Sequence, residues 1–265
     1  DVGYEAFDYG KIPHLFLHLP LLGTSDWALN YIIHAPKFSC DKENRDNVRF
    51  SGNSEETKAK ANANRELTDL AYTLILQFID RNLSLIKNRK LLTPVKYRLL
   101  DVNDNTKEYF KTQQAWWVSE MESREYVENE NSTLLPSEIK VFDEELLEAC
   151  TQNESLLDAI YYLFAKAGAT APVCPKKVDM LYWSRTINDW YDDKENAHFL
   201  SVAHIADLVS SIAFEEIDLD QLLVFEQYLA DNNKTKVFDK AILPNIDLSL
   251  CTSEDMLDAV SFSGN

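Results

Sequence analysis

Residues 65–79 read Arg65-Glu66-Leu67-Thr68-Asp69-Leu70-Ala71-Tyr72-Thr73-Leu74-Ile75-Leu76-Gln77-Phe78-Ile79. Leu67, Leu70, Ala71, Leu74, Ile75, Phe78 and Ile79, followed by Leu83 and Ile86, recur in steps of three and four, the period of a helix with one apolar face. The pattern predicts one long helix over 54–89. Asn53 with Glu56 three residues on resembles a cap at its start, and Lys87, Arg89 and Lys90 stand where a helix C-terminus favours cations. Pro94 closes the connection that follows.

Upstream the period is two. In residues 14–22, Leu15, Leu17 and Leu19 alternate with His14, Phe16 and His18, which predicts a strand. A second strand over Leu29 to Ala35 follows a turn at Gly23, Thr24 and Ser25, and Pro36 ends it for want of an N–H. These strands are expected in one sheet. Downstream, Tyr97 to Val102 reads as a short strand and Thr106 to about Val127 as a helix with Phe110, Trp117 and Met121 inward.

The polar, acidic stretch Glu128 to Ser137 is the best linker candidate. Beyond it, helices are expected after an Asn153 cap, with Leu156, Leu157, Ile160, Tyr161 and Phe164 as the stripe and Gly168 in a left-handed closing position. Further helices are expected over about 177–192, 201–214 and 218–231, the last capped by Asp218 with Gln221. A short strand, Ala241 to Leu243, should end at Pro244. The fold class is therefore α+β and predominantly helical: a small N-terminal β element, a long helix and a C-terminal helical region. The expected divisions are 1–53, 54–130 and 131–265.

Lys and Arg number 26 against 44 Asp and Glu in 265 residues, a net charge of −18 that opposes binding to nucleic acid or anionic lipid. The imbalance is uneven. Residues 1–135 hold 17 basic and 20 acidic side chains, against 9 and 24 in 136–265. Within 37–98 there are 13 basic and 8 acidic residues, so a surface that receives an anion is expected there. The six glycines are too scattered for a phosphate-cradling loop. Cys40, Cys150, Cys174 and Cys251 form no close pair, and neither a signal peptide nor a long apolar run is present, so free thiols and a cytoplasmic setting are expected. The chain opens at Asp1, as an excised piece would.

Histidine and carboxylate pairs carry little. On a strand His14 and His18 would stand about 13 Å apart, too far for one metal ion. His198 and His204 are six apart. The acidic runs at Asp192, Asp193 and Glu195 and at Glu215, Glu216, Asp218 and Asp220 read as solvated faces or helix starts. Trp183 and Trp190, seven apart on one helical face, read as core. No hydrolase constellation is present. The segment Ser39 to Phe50, which mixes cations and acids directly after the strand pair, is the least ordinary loop: loops positioned by a sheet are where function concentrates, while composition alone favours a solvated connection carrying surface charge.

Three strings in order, Pro20-Leu21-Leu22-Gly23-Thr24-Ser25-Asp26-Trp27, Asn30-Tyr31-Ile32-Ile33-His34-Ala35-Pro36-Lys37-Phe38 and Glu43-Asn44-Arg45-Asp46, resemble a known pattern. It is the "PLIGT", "NSPLF" and "ERD" succession that follows the ATP-binding domain in bacterial proteins with a sacsin-type, heat-shock-chaperone-like ATPase domain of the GHKL superfamily. Ile242-Leu243-Pro244-Asn245 resembles a later "PN" step. The resemblance covers 15–52 and is faint elsewhere. Here Asn44 precedes Arg45 where the family has Glu or Pro, and Gly52 comes later than the family's Gly.

The resemblance implies a middle segment of a larger ATPase, with ATP and Mg2+ bound by an upstream domain of the same chain and no cofactor held by this segment. It implies that Arg45 is the catalytic cation reaching the γ-phosphate from across the domain boundary, with Lys42 and Arg49 beside it as nucleotide-binding cations. The segment alone is then non-catalytic, and its partners are the upstream domain and a protein client; the net charge, not the resemblance, is what argues for no nucleic acid and no membrane. The alternative is a helical protein-interaction scaffold unrelated to ATP.

Overall fold

The computed structural model describes residues 3–6, 12–24, 31–40, 47–93, 104–190 and 198–256. The fold is predominantly helical α+β, and the described residues contain seven α-helices and short, two-residue strands. No helix among them is long and apolar enough to cross a membrane. The chain forms two compact units: Asp1–Glu128 with Thr133–Pro136, and Asn129–Ser132 with Ser137–Asn265.

In the first unit, β2 (Leu15–Phe16) pairs in parallel with β3 (Ile33–His34), and β1 (Tyr4–Glu5) in parallel with β4 (Ile86–Lys87). The long strand expected over 14–22 is reduced to Leu15–Phe16, because the chain folds back at once. The Leu21 N–H donates to the Leu15 carbonyl at 3.0 Å, and Phe16 forms a bridge with Pro20. Thr24, fully buried, fixes this return: its hydroxyl accepts from the N–H groups of His14 and Leu15 and donates to the Leu21 carbonyl at 2.7 Å. Leu15 is buried while Leu19 is 76% exposed, so the expected shared face does not exist. Of the second expected strand, 29 and 30 lie outside the described residues, and pairing is confined to Ile33–His34.

Helix α1 spans Glu55–Asn82, about 42 Å at 1.5 Å per residue. Its cap is Ser54, with Thr57 as reciprocal partner, in place of the expected Asn53 and Glu56. The helix stops short of residue 89 because a 3-10 turn, Leu83–Leu85, delivers Ile86–Lys87 to pair with Tyr4–Glu5. That distant partner leaves no trace in local periodicity. The buried face of α1 is Ala61, Asn64, Thr68, Tyr72, Leu76 and Ile79, whereas Leu70, Leu74 and Phe78 of the expected stripe are exposed.

Helix α2 spans Asp104–Glu122 and buries Phe110, Trp117 and Met121 as expected. Tyr109 meets Asp69, Tyr72 meets Trp117 and Arg124 meets Asp80. Partners thus advance together along both helices, so α1 and α2 run parallel. The stretch expected as a strand over Tyr97 to Val102 lies outside the described residues. The expected linker is an ordered antiparallel hairpin of β5 (Val127–Glu128) and β6 (Thr133–Leu134). The Asn129 side chain closes its turn by accepting from the N–H groups of Asn131 and Ser132 at 2.9 and 2.7 Å.

The second unit is built on α4 (Glu154–Ala167), capped by Asn153 and closed at Gly168 with φ of 57°. Its buried Leu156, Leu157, Ile160, Leu163 and Phe164 share a core with α3 (Glu144–Gln152), α5 (Lys177–Trp190), α6 (Val202–Ser210) and α7 (Leu219–Asp231). Helix α3, absent from the sequence expectation, is capped by Asp143, whose carboxylate accepts from the Leu146 N–H at 2.9 Å. Strand β7 (Val141–Phe142) pairs in parallel with β8 (Phe199–Leu200), and α5 pins it: Ser184 accepts from the Phe142 N–H and Asn188 donates to its carbonyl. The last strand pair, β9 (Leu243–Pro244) with β10 (Leu250–Cys251), begins at Leu243 and includes Pro244. A proline is tolerated on so short an edge. Asp218 caps α7 through the Asp220 N–H, without the expected reciprocal bond from Gln221.

Candidate functional site

The loop singled out in the sequence stands on two stems. Cys40 and Val48 form an antiparallel bridge, and the Arg49 N–H donates to the Ser39 carbonyl at 3.0 Å. One side chain of α1 holds both stems. Asn64, fully buried, accepts from the Ser39 N–H at 2.8 Å and donates to the carbonyls of Ser39 at 2.8 Å and Arg49 at 2.7 Å. An amide is suited to this place, since it offers an acceptor and two donors in one plane. Thr68, one turn on, donates to the Asn64 carbonyl at 3.0 Å.

A second clamp follows directly. Arg65 donates from Nε and Nη2 to the Phe50 carbonyl at 3.0 and 2.6 Å, and its guanidinium carbon lies 4.9 Å from the centre of the Tyr109 ring. Phe50 stacks on Tyr109 at 5.3 Å and meets Phe110 edge-on at 5.1 Å. The Tyr109 hydroxyl donates to Asp69 Oδ1 at 2.8 Å. Burial pushes the Asp69 carboxyl up, against the opposing pull of the Tyr109 hydrogen bond, and burial together with Asp69 pushes the Tyr109 phenol up. At the foot of the loop Gly52 touches α1 so closely that a Cβ there would lie 2.4 Å from the Thr57 carbonyl carbon.

Of the sequence-predicted site residues, Lys42 and Arg45 lie outside the described residues. Arg49 sits on the second stem, with its main chain held by Ser39 and Asn64. The sequence reading missed Asn64, Arg65, Asp69 and Tyr109, since polar residues on an otherwise amphipathic helix pass as solvated.

The histidines serve locally. His14 is buried, with desolvation lowering its pKa, His198 Nδ1 lies 3.2 Å from the Ile139 carbonyl, and His204 completes the cap of α6 with Ser201. Trp183 is buried and Trp190 half-buried, Asp218 caps α7, and the run at Asp192 to Glu195 lies outside the described residues. Among the described residues no group of three or more His, Cys, Asp or Glu side chains is placed to hold a metal ion.

The second unit carries two further features. A groove of about 1040 Å³ runs along α3 and α7, lined by Glu145, Glu148, Asp220, Leu223, Asp231 and Lys234. Glu145 there accepts from Lys234 at 2.8 Å. Inside the unit Glu226 is 8% exposed, its Oε1 has no hydrogen-bond partner, and burial pushes its carboxyl up to about 7. Neither feature was marked by any sequence motif. Compared with known proteins, the chain matches no family model, no curated protein and no solved structure.

Proposed function

We propose that this chain is a middle region of a chaperone-like ATPase of the GHKL type, coupling nucleotide state to interdomain or client contacts without a nucleotide site of its own. The observation that carries the reading is the Asn64 clamp. Both stems of the loop bearing Lys42 and Arg45 are held by one buried side chain of α1, so displacement of the loop is passed to a 28-residue helix. The resemblance of 15–52 to the segment after such ATP-binding domains points the same way.

ATP, held with Mg2+ by the upstream domain, would supply the phosphoryl group, with the ion neutralising phosphate charge. This chain supplies Arg45 as a cation to the γ-phosphate, with Lys42 and Arg49 adding positive charge nearby. The described main chain beside the loop is committed to Ser39, Asn64 and Arg65, which suits a segment that lends side chains to a site and does not itself cradle phosphate. The groove along α3 and α7 is where the acidic half would meet a client, and it equally favours the second reading, a scaffold unrelated to ATP.

The test is ATP turnover by the parent protein. Arg45→Ala should lower kcat by roughly 10²–10³, the cost of one well-placed transition-state donor, with nucleotide affinity within a few-fold. Arg49→Ala should lose less. Equal and small losses would leave the scaffold reading in front.

A further inference from the structure

On α1, Leu70, Leu74 and Phe78 are exposed to 56%, 57% and 42%, spaced four apart along one face. Tyr4, 41% exposed, extends the patch by packing edge-on against Phe78 at 4.9 Å. Leu74 and Phe78 also line an apolar cleft of about 330 Å³ floored by Ile79, Ile86 and Leu92. Glu66 and Arg81, both exposed, stand at opposite ends of the stripe, and neither forms an ion pair among the described residues.

We propose that this face binds the same face of a second copy of the chain, with the two α1 helices antiparallel and Leu74 on the two-fold axis. The pattern is self-complementary about Leu74. Reversed on itself, it sets Leu70 of one copy against Phe78 of the other, beside the open cleft, and brings Arg81 to within one residue of the position opposite Glu66. Two-fold contacts use the same patch twice, so the Leu70–Phe78 pair and the ion pair form in duplicate, while Leu74 meets its own copy once on the axis. A basic or acidic partner of another kind would satisfy only one end of the stripe.

Size and charge allow the contact. The four exposed side chains amount to roughly 400 Å² per copy, each leaving about half of some 200 Å² open. With Glu66 and Arg81 the two patches approach the lower bound of about 1,000 Å² for a specific interface, the size of a weak, transient dimer. The half of the chain that holds α1 carries 17 basic and 20 acidic residues, so repulsion between copies is small there.

Sedimentation of the full chain across a concentration series tests this. The wild type should pass from monomer to dimer, and Leu74→Glu should raise Kd at least about 50-fold, as loss of a central anchor does. Circular dichroism should be unchanged, because Leu74 is open to solvent. Glu66→Arg alone and Arg81→Glu alone should each weaken the dimer about tenfold, and the two together should restore it. A wild type that stays monomeric at its highest soluble concentration, a dimer indifferent to Leu74→Glu, or a double reversal that fails to restore association would each overturn the proposal.

Discussion

The Asp69 carboxylate on α1 accepts the hydroxyl of Tyr109 on α2 at 2.8 Å, and the same oxygen accepts the Gln113 amide at 2.9 Å. Tyr109→Phe keeps the ring stack on Phe50 and removes only the hydroxyl. The variant should lose about 1–2 kcal/mol, the cost of leaving a part-buried acceptor with one donor fewer. Urea unfolding at unchanged m-value is the measurement, and an unaltered midpoint would show that the bond contributes nothing.

Asn64→Ala removes three hydrogen bonds at once and takes the Asn64 partner from the Ser39 N–H and the Arg49 carbonyl, while the Ser39 carbonyl keeps the Arg49 N–H. A loss of about 3 kcal/mol is expected from buried groups left unpaired. Hydrogen exchange should localise the damage, with the Ser39 amide losing protection well before the amides in the middle of α1. Uniform loss along the helix would contradict a local clamp.

Glu226 ties stability to pH. Its folded pKa is raised from 4.5 to about 7 by burial, so the contribution it makes in the neutral form is complete below about pH 4.5 and is lost as pH rises through about 7. Glu226→Gln fixes the side chain in a neutral state of nearly the same shape. Relative to wild type, the variant should gain little at pH 4.5 and on the order of 3 kcal/mol at pH 8. Parallel Tm-against-pH curves for the two proteins would refute the assignment.

Gly52→Ala should cost about 2 kcal/mol, because the added methyl meets the Thr57 backbone at 2.4 Å and no rotamer change can relieve a main-chain clash. Thermal melting checks the size of the loss. A neutral substitution would mean that the first turn of α1 yields freely, and the link from loop to helix would then be soft.

All four cysteines are free, and burial pushes the thiols of Cys150 and Cys174 up to about 12. Little thiolate forms at pH 8, so both should resist alkylation in the native protein. Titration in denaturant should find four reactive thiols. Peptide mapping that shows early labelling of Cys150 or Cys174 would place them nearer the surface.

Apart from α3, which the sequence reading passed over, the helices of the second unit were legible in the sequence because their signals are local. Asn153, Gly168 and the Leu156–Phe164 stripe stand where caps and faces are expected, and the structure uses each of them. The first unit was less legible because its decisive contacts are distant. Thr24 turns the chain back onto His14 and Leu15, Tyr4 and Glu5 pair with Ile86 and Lys87, 82 residues further on, and so end a helix, and a helix whose inner face holds Asn64 and Thr68 has its hydrophobic stripe turned outward. Polar burial of this kind is invisible to a periodicity count. At the candidate site, the sequence marked Ser39 to Phe50 through its charge, and the side chains that hold its stems come from a different element.

The parallel course of α1 and α2 sets a schedule for synthesis. The partners that meet across the pair are 40 to 45 residues apart in the chain, so no tight turn can bring the helices together. At about 5–20 residues per second, α1 leaves the ribosome roughly 2–9 s before the residues of α2 that bury it. Throughout that interval both its faces, the one destined for Trp117 and the one bearing Leu74, are bare. Codon usage between residues 83 and 122 therefore sets how long the nascent chain is exposed to chaperones and to premature association.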